Sequence, residues 1–111
     1  MARKVPINIT IPLVAGNGVA RVANADEFMV EELSGSLRVL ISGTFSIEVR
    51  NIATGGLIGG LSWTAAGVQS DLDVHVLVPN DDGIRVDVTS LGVGAADAFL
   101  TIWGFVPRID D

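Results

Sequence analysis

The chain has 111 residues, 49% of them hydrophobic and 18% charged, with thirteen acidic against seven basic groups for a net charge of −6. That length suits one domain, and the apolar share excludes a disordered chain, which cannot offset its ordering entropy by burial. Cysteine is absent and basic residues cluster only at Arg3-Lys4, which excludes a disulfide framework, a thiolate site and an electrostatic footprint for direct nucleic-acid binding.

A mean hydropathy of +0.51 beside so little charge points to a surface partly covered by other subunits. No apolar run approaches the roughly 20 residues that span a bilayer, so no membrane partner is expected. The opening Met1-Ala2-Arg3-Lys4 runs straight into Val5-Pro6-Ile7-Asn8, which interrupts any signal-peptide core.

From residue 5 to 13 every odd position is apolar, and Pro6 and Pro12 fall on the even parity. Residues 1–14 therefore read as an extended N-terminal arm or an edge strand, ahead of one β-sandwich domain over 15–111. Val5, Ile7, Ile9 and Ile11 are the candidate docking residues of such an arm. Asn17-Gly18 signals a turn, with a short return strand over 19–23. From Leu37 to Arg50 the alternation predicts two strands with a bend or bulge at Gly43. A further strand-like run, 57–63, contains Gly59-Gly60. Residues 72–78 and 84–89 alternate on either side of Pro79-Asn80-Asp81-Asp82-Gly83, which predicts a hairpin over 72–89. The closing strand, 98–106, is apolar on both parities: Phe99, Trp103 and Phe105 on one, Leu100 and Ile102 on the other. Such a strand is central or lies at a subunit contact, so Leu100, Ile102 and Trp103 join the candidate interface. About eight short strands without a helix predict an all-β antiparallel two-sheet sandwich of jelly-roll type.

The search for chemistry ends in structural readings. His75 is the one histidine and no Gly-x-Ser-x-Gly elbow accompanies it, which excludes a hydrolytic triad. Asp71, Asp73 and His75 share a strand face that Asp87 would join across the predicted hairpin, but a solvated charged face is the better reading than a metal site. The acidic group Asp26, Glu27, Glu31 and Glu32 reads as a solvated rim rather than a calcium site, and Gly59-Gly60 lacks the Lys and Ser/Thr of a phosphate loop. Asp81 and Asp82 are turn residues rather than paired catalytic acids. Glu48, Asp71, Asp73 and Asp87 are expected to pair with Arg38, Arg50 and Arg85 across strands. Trp63 and Trp103 read as core or interface residues before a sugar platform. No catalytic residue, cofactor or metal is expected, and the chain reads as non-enzymatic.

The segments Phe45-Ser46-Ile47-Glu48-Val49-Arg50-Asn51-Ile52-Ala53-Thr54-Gly55, Ile84-Arg85-Val86-Asp87-Val88-Thr89-Ser90-Leu91 and Ala98-Phe99-Leu100-Thr101-Ile102-Trp103-Gly104-Phe105 resemble small β-sandwich virion proteins of tailed bacteriophages. The resemblance implies a capsid decoration (cement) protein or a minor head or tail component. It would be made in the host cytoplasm, located in the virion, and assembled as a trimer on a major capsid protein. Each copy would bridge capsomers through the Trp103 strand and the N-terminal segment. A phage tail or fibre component and a lectin-like carbohydrate-binding module are the alternatives.

Overall fold

The computed structural model describes residues 4–107. Residues 1–3, with Arg3 and the start of the expected 1–14 segment, and residues 108–111 at the close of the expected domain lie outside the described residues.

Nine strands and no helix occupy the described residues: β1 (Val5–Thr10), β2 (Gly16–Val22), β3 (Phe28–Val39), β4 (Ser42–Asn51), β5 (Leu57–Trp63), β6 (Gly67–Asp71), β7 (Val76–Val78), β8 (Ile84–Val93) and β9 (Ala96–Phe105). They form two antiparallel sheets, one ordered β1–β9–β3–β6 with β7 also on β3, the other ordered β2–β8–β4–β5. β6 and β7 follow one another along β3, opposite Leu33 to Leu37 and Phe28 to Val30 respectively. They act as one interrupted strand. Counted so, the first strand pairs with the last, the second with the penultimate, the third with the sixth and the fourth with the fifth. That connectivity is the jelly roll, and the fold expected from the sequence is the one observed.

Alternation supplies the core. Phe45, Ile47 and Val49 of β4 and Ile84, Val86 and Val88 of β8 point inward against Leu33 and Leu37 of β3 and Ala98, Leu100 and Ile102 of β9, all buried. Trp63 of β5 closes one side, its ring centroid 5.4 Å from that of Phe45.

Several predicted pairings are corrected. Residues 72–89 are not a hairpin: β7 belongs with β3, β8 pairs with β2 and β4, and residues 79–83 cross between the sheets. The crossing is held by neighbouring loops. Asn24 Nδ2 donates to the Pro79 carbonyl (2.9 Å), the Gly83 amide donates to Asn24 Oδ1 (2.8 Å), and Asn51 Nδ2 donates to Asp82 Oδ2 (2.9 Å). Likewise Asn17-Gly18 is no hairpin turn but a bulge within β2, where the register against β8 shifts between Gly16 and Ala20. The Leu37–Arg50 stretch contains a bulge in β4 around Gly43, yet its two strands belong to opposite sheets.

Gly35, in the middle of β3, is required by close approach: a Cβ there would lie 2.8 Å from the Trp63 ring. Gly35→Ala is therefore expected to destabilise the fold by about 1–3 kcal/mol through overpacking. A urea-unfolding midpoint lowered without change in slope would register that loss.

Candidate assembly site

The jelly-roll connectivity sorts the loops into two ends of opposite character. At one end lie residues 11–15, 40–41, 64–66 and 94–95, joining β1 to β2, β3 to β4, β5 to β6 and β8 to β9. None of these twelve positions carries a charge. Val14 is 61% exposed, Ile41 73% and the adjoining Val93 54%, and the Ile41 amide donates to the Val93 carbonyl at 2.8 Å, tying two of the loops together. At the other end, the loops at 23–27, 52–56 and 79–83 carry Asp26, Glu27, Asp81 and Asp82. The molecule is elongated, 48 × 24 × 19 Å, with an apolar end and an acidic end. Three solvent-exposed β-branched side chains at one uncharged end, on a chain of net charge −6, make that end a candidate contact surface.

The candidate interface residues divide by strand parity. Val5–Thr10 pairs antiparallel with β9, Val5 opposite Gly104 and Thr10 opposite Phe99, so this segment forms the edge strand of its own sheet. Ile11 is buried in the core, with Ile7 and Ile9 packed against it. Val5 is partly exposed. On β9, Leu100 and Ile102 face inward and are fully buried, so they present nothing to a neighbouring subunit. The opposite parity faces outward. There Trp103 lies half-buried between Pro6 of β1 and Glu32 of β3, and Phe99, 47% exposed, lies between Thr10 and Ser36. Trp103 and Phe99 thus share the outer face of the β1–β9–β3–β6 sheet, whereas Trp63 is core.

The outer face of the second sheet is charged, and its charges interlock. Asp87 is only 2% exposed although its parity points outward. The β2 bulge covers it: the Gly18 amide donates to Asp87 Oδ1 at 2.6 Å. Arg85 Nε lies 3.1 Å from the same oxygen, too far off line to donate a hydrogen bond, and Arg50 Nε lies 3.8 Å from Oδ2. Arg50 also donates to Glu48 Oε1 (3.1 Å) and to the Gly55 carbonyl (2.9 Å). Pairing of Glu48 and Asp87 with Arg50 and Arg85 follows the sequence expectation, but two of the pairs run along a strand rather than across one. Arg38 pairs with Asp97 instead.

The remaining polar candidates are dispersed. His75 pairs with Glu31 and Lys4 with Glu32 (2.6 Å), around a shallow depression of about 260 Å³ where residues 72–75, between β6 and β7, pass β3. Asp71 accepts the Asp73 amide at 3.1 Å and meets no arginine among the described residues. Asp87, expected beside Asp73 and His75, sits in the other sheet. Among the described residues no group of three or more His, Asp or Glu gathers in a metal-holding arrangement. Gly60 faces Glu48, and a Cβ on it would lie 3.0 Å from the Ile47 carbonyl of the neighbouring strand, while one on Gly59 would lie 2.8 Å from Leu33 of the opposite sheet, so the two glycines answer close packing on two sides.

No family model matches the chain, and no curated protein does. Solved structures similar to it include the acid-stable capsid of a Helicobacter pylori bacteriophage, at 15% identity over 99% of this chain and 97% of that one with a TM-score of 0.44. A cyanophage capsid asymmetric unit is similar at 11% identity over 96% of this chain and 85% of that one, TM-score 0.45. A Bacillus endospore appendage pilus is similar at 20% identity over 96% of this chain and 88% of that one, TM-score 0.39.

Proposed function

We propose that the chain is a non-enzymatic structural subunit that assembles through its uncharged end, and, at finer grain, that it is a virion protein decorating and stabilising a phage head. The observation that carries the reading is the charge-free loop cluster with Val14, Ile41 and Val93 exposed. Copies that meet there around an axis bury apolar surface where no like charges oppose one another, and their acidic ends point apart. A cyclic trimer satisfies this arrangement. The outer face bearing Phe99 and Trp103 is then left for the surface on which the trimer sits.

The test is light scattering during size exclusion at micromolar concentration. A trimer is the expected mass, and Ile41→Asp is expected to give a monomer because it places a charge in the centre of the contact. Ile41 is exposed, so the variant's unfolding free energy in urea is expected to match the parent's within about 0.5 kcal/mol. A chain monomeric at every concentration that binds glycans on an array would replace this reading with the carbohydrate-binding one.

A further inference from the structure

We propose that Arg21 and Arg85 form a binding site for an oxyanion, phosphate or carboxylate, on the outer face of the β2–β8–β4–β5 sheet. The strand register places Arg21 directly opposite Arg85 and Arg85 directly opposite Arg50. Side chains so paired have Cβ atoms about 5 Å apart, and like charges at that spacing repel. Two anions answer the three cations: Asp87, buried beneath the row, and Glu48, which occupies Arg50. Arg50 is thereby engaged by Glu48 and the Gly55 carbonyl. Arg85 is held only by charge: Asp87 is its one anionic partner among the described residues, at 3.1 Å, and the buried Nε makes no hydrogen bond to it. Arg21 makes no hydrogen bond or ion pair among the described residues. Its guanidinium lies over Gly18, within 3.1 Å of where a Cβ would stand, and Gly18 is the residue whose amide holds Asp87.

Two guanidiniums with free N–H groups therefore flank one patch, and the buried carboxylate fixes the backbone beneath them. An oxyanion bridging the two meets the planar fork geometry that arginine offers and supplies the missing negative charge. The inference stands apart from the assembly reading, since it does not use the apolar end.

The test is titration of the ¹⁵N-labelled chain with inorganic phosphate at constant ionic strength, read by amide chemical shifts. Saturable shifts are expected at Gly18, Arg21 and Arg85. Arg21→Gln is expected to weaken binding about tenfold or more, Arg21→Lys to fall between, and Arg38→Gln, on the other sheet, to change nothing. Arg21 has no partner to lose among the described residues, so Arg21→Gln is expected to keep the parent's urea midpoint. A second arm dilutes the chain without phosphate: concentration-dependent shifts of the same amides, reversed by phosphate, identify a carboxylate of a second copy as the anion. The proposal is overturned if neither arm moves these amides, or if Arg38→Gln weakens phosphate binding as much as Arg21→Gln.

Discussion

Replacing Trp63 with alanine is expected to remove about 3–5 kcal/mol of stability and to lower the thermal midpoint by roughly 15–30 °C. Trp63 is completely buried at the end of β5 and joins three elements. Its ring packs tilted against Phe45 of β4 and spreads over the backbone of Gly35 in the opposite sheet. Its Nε1–H donates to the Gly67 carbonyl at the start of β6 (3.0 Å). The glycine leaves the space and the indole fills it, so truncation opens a cavity that strand backbones cannot close. Trp63→Phe keeps the stacking and loses the hydrogen bond, and is expected to cost about half as much. Urea unfolding followed by far-UV circular dichroism measures both. Trp103 fluoresces in every variant, so emission would not report the core alone. A loss under about 1 kcal/mol for Trp63→Ala would mean that the two sheets are held together elsewhere.

Where alternation is local, the sequence is legible. Phe45, Ile47 and Val49, or Ile84, Val86 and Val88, show their buried face by period two, and each strand formed as expected. Alternation says nothing of which sheet a strand joins, because pairing is decided by contacts distant in sequence. Hence the strands flanking residues 79–83 looked like a hairpin and belong to opposite sheets, since asparagines 24 and 51 take up the polar groups of the crossing. β3 illustrates a second limit. Its buried positions run Phe28, Val30, then Leu33, Gly35 and Leu37, and the parity flips at a bulge between Val30 and Glu32. A reader expecting strict alternation sees two fragments there instead of one strand. On β9 both parities are apolar because the strand is central, between β1 and β3. Periodicity could not tell the inward Leu100 and Ile102 from the outward Phe99 and Trp103.

The surfaces were less legible than the core for the same reason. Each uncharged loop is short and unremarked in sequence, and only the connectivity brings all four to one end. The arginine row likewise depends on register across three strands: Arg21, Arg85 and Arg50 are far apart in the chain and become neighbours through two ladders. The excess hydropathy did signal that apolar surface was left over. It could not say where.

Asp87→Ala is the second large effect, expected to cost about 3 kcal/mol, because removing one partner of a buried ionic cluster leaves the others uncompensated. Asp87 is the counter-charge beneath three arginines in register and the acceptor for the bulged Gly18 amide. Asp87→Asn separates these two roles. The amide oxygen still accepts from Gly18, but the row of guanidiniums is left with Glu48 alone. That variant is expected to lose less than Asp87→Ala, and its urea midpoint is expected to rise with added sodium chloride more than the parent's does, since screening relieves the repulsion. Phosphate is expected to stabilise Asp87→Asn beyond what chloride achieves at equal ionic strength, because the bridging anion takes over part of the lost charge. Equal stability of Asp87→Asn and the parent at low salt would show that the arginine row needs no counter-charge. The carboxylate would then serve only as a hydrogen-bond acceptor for the bulge.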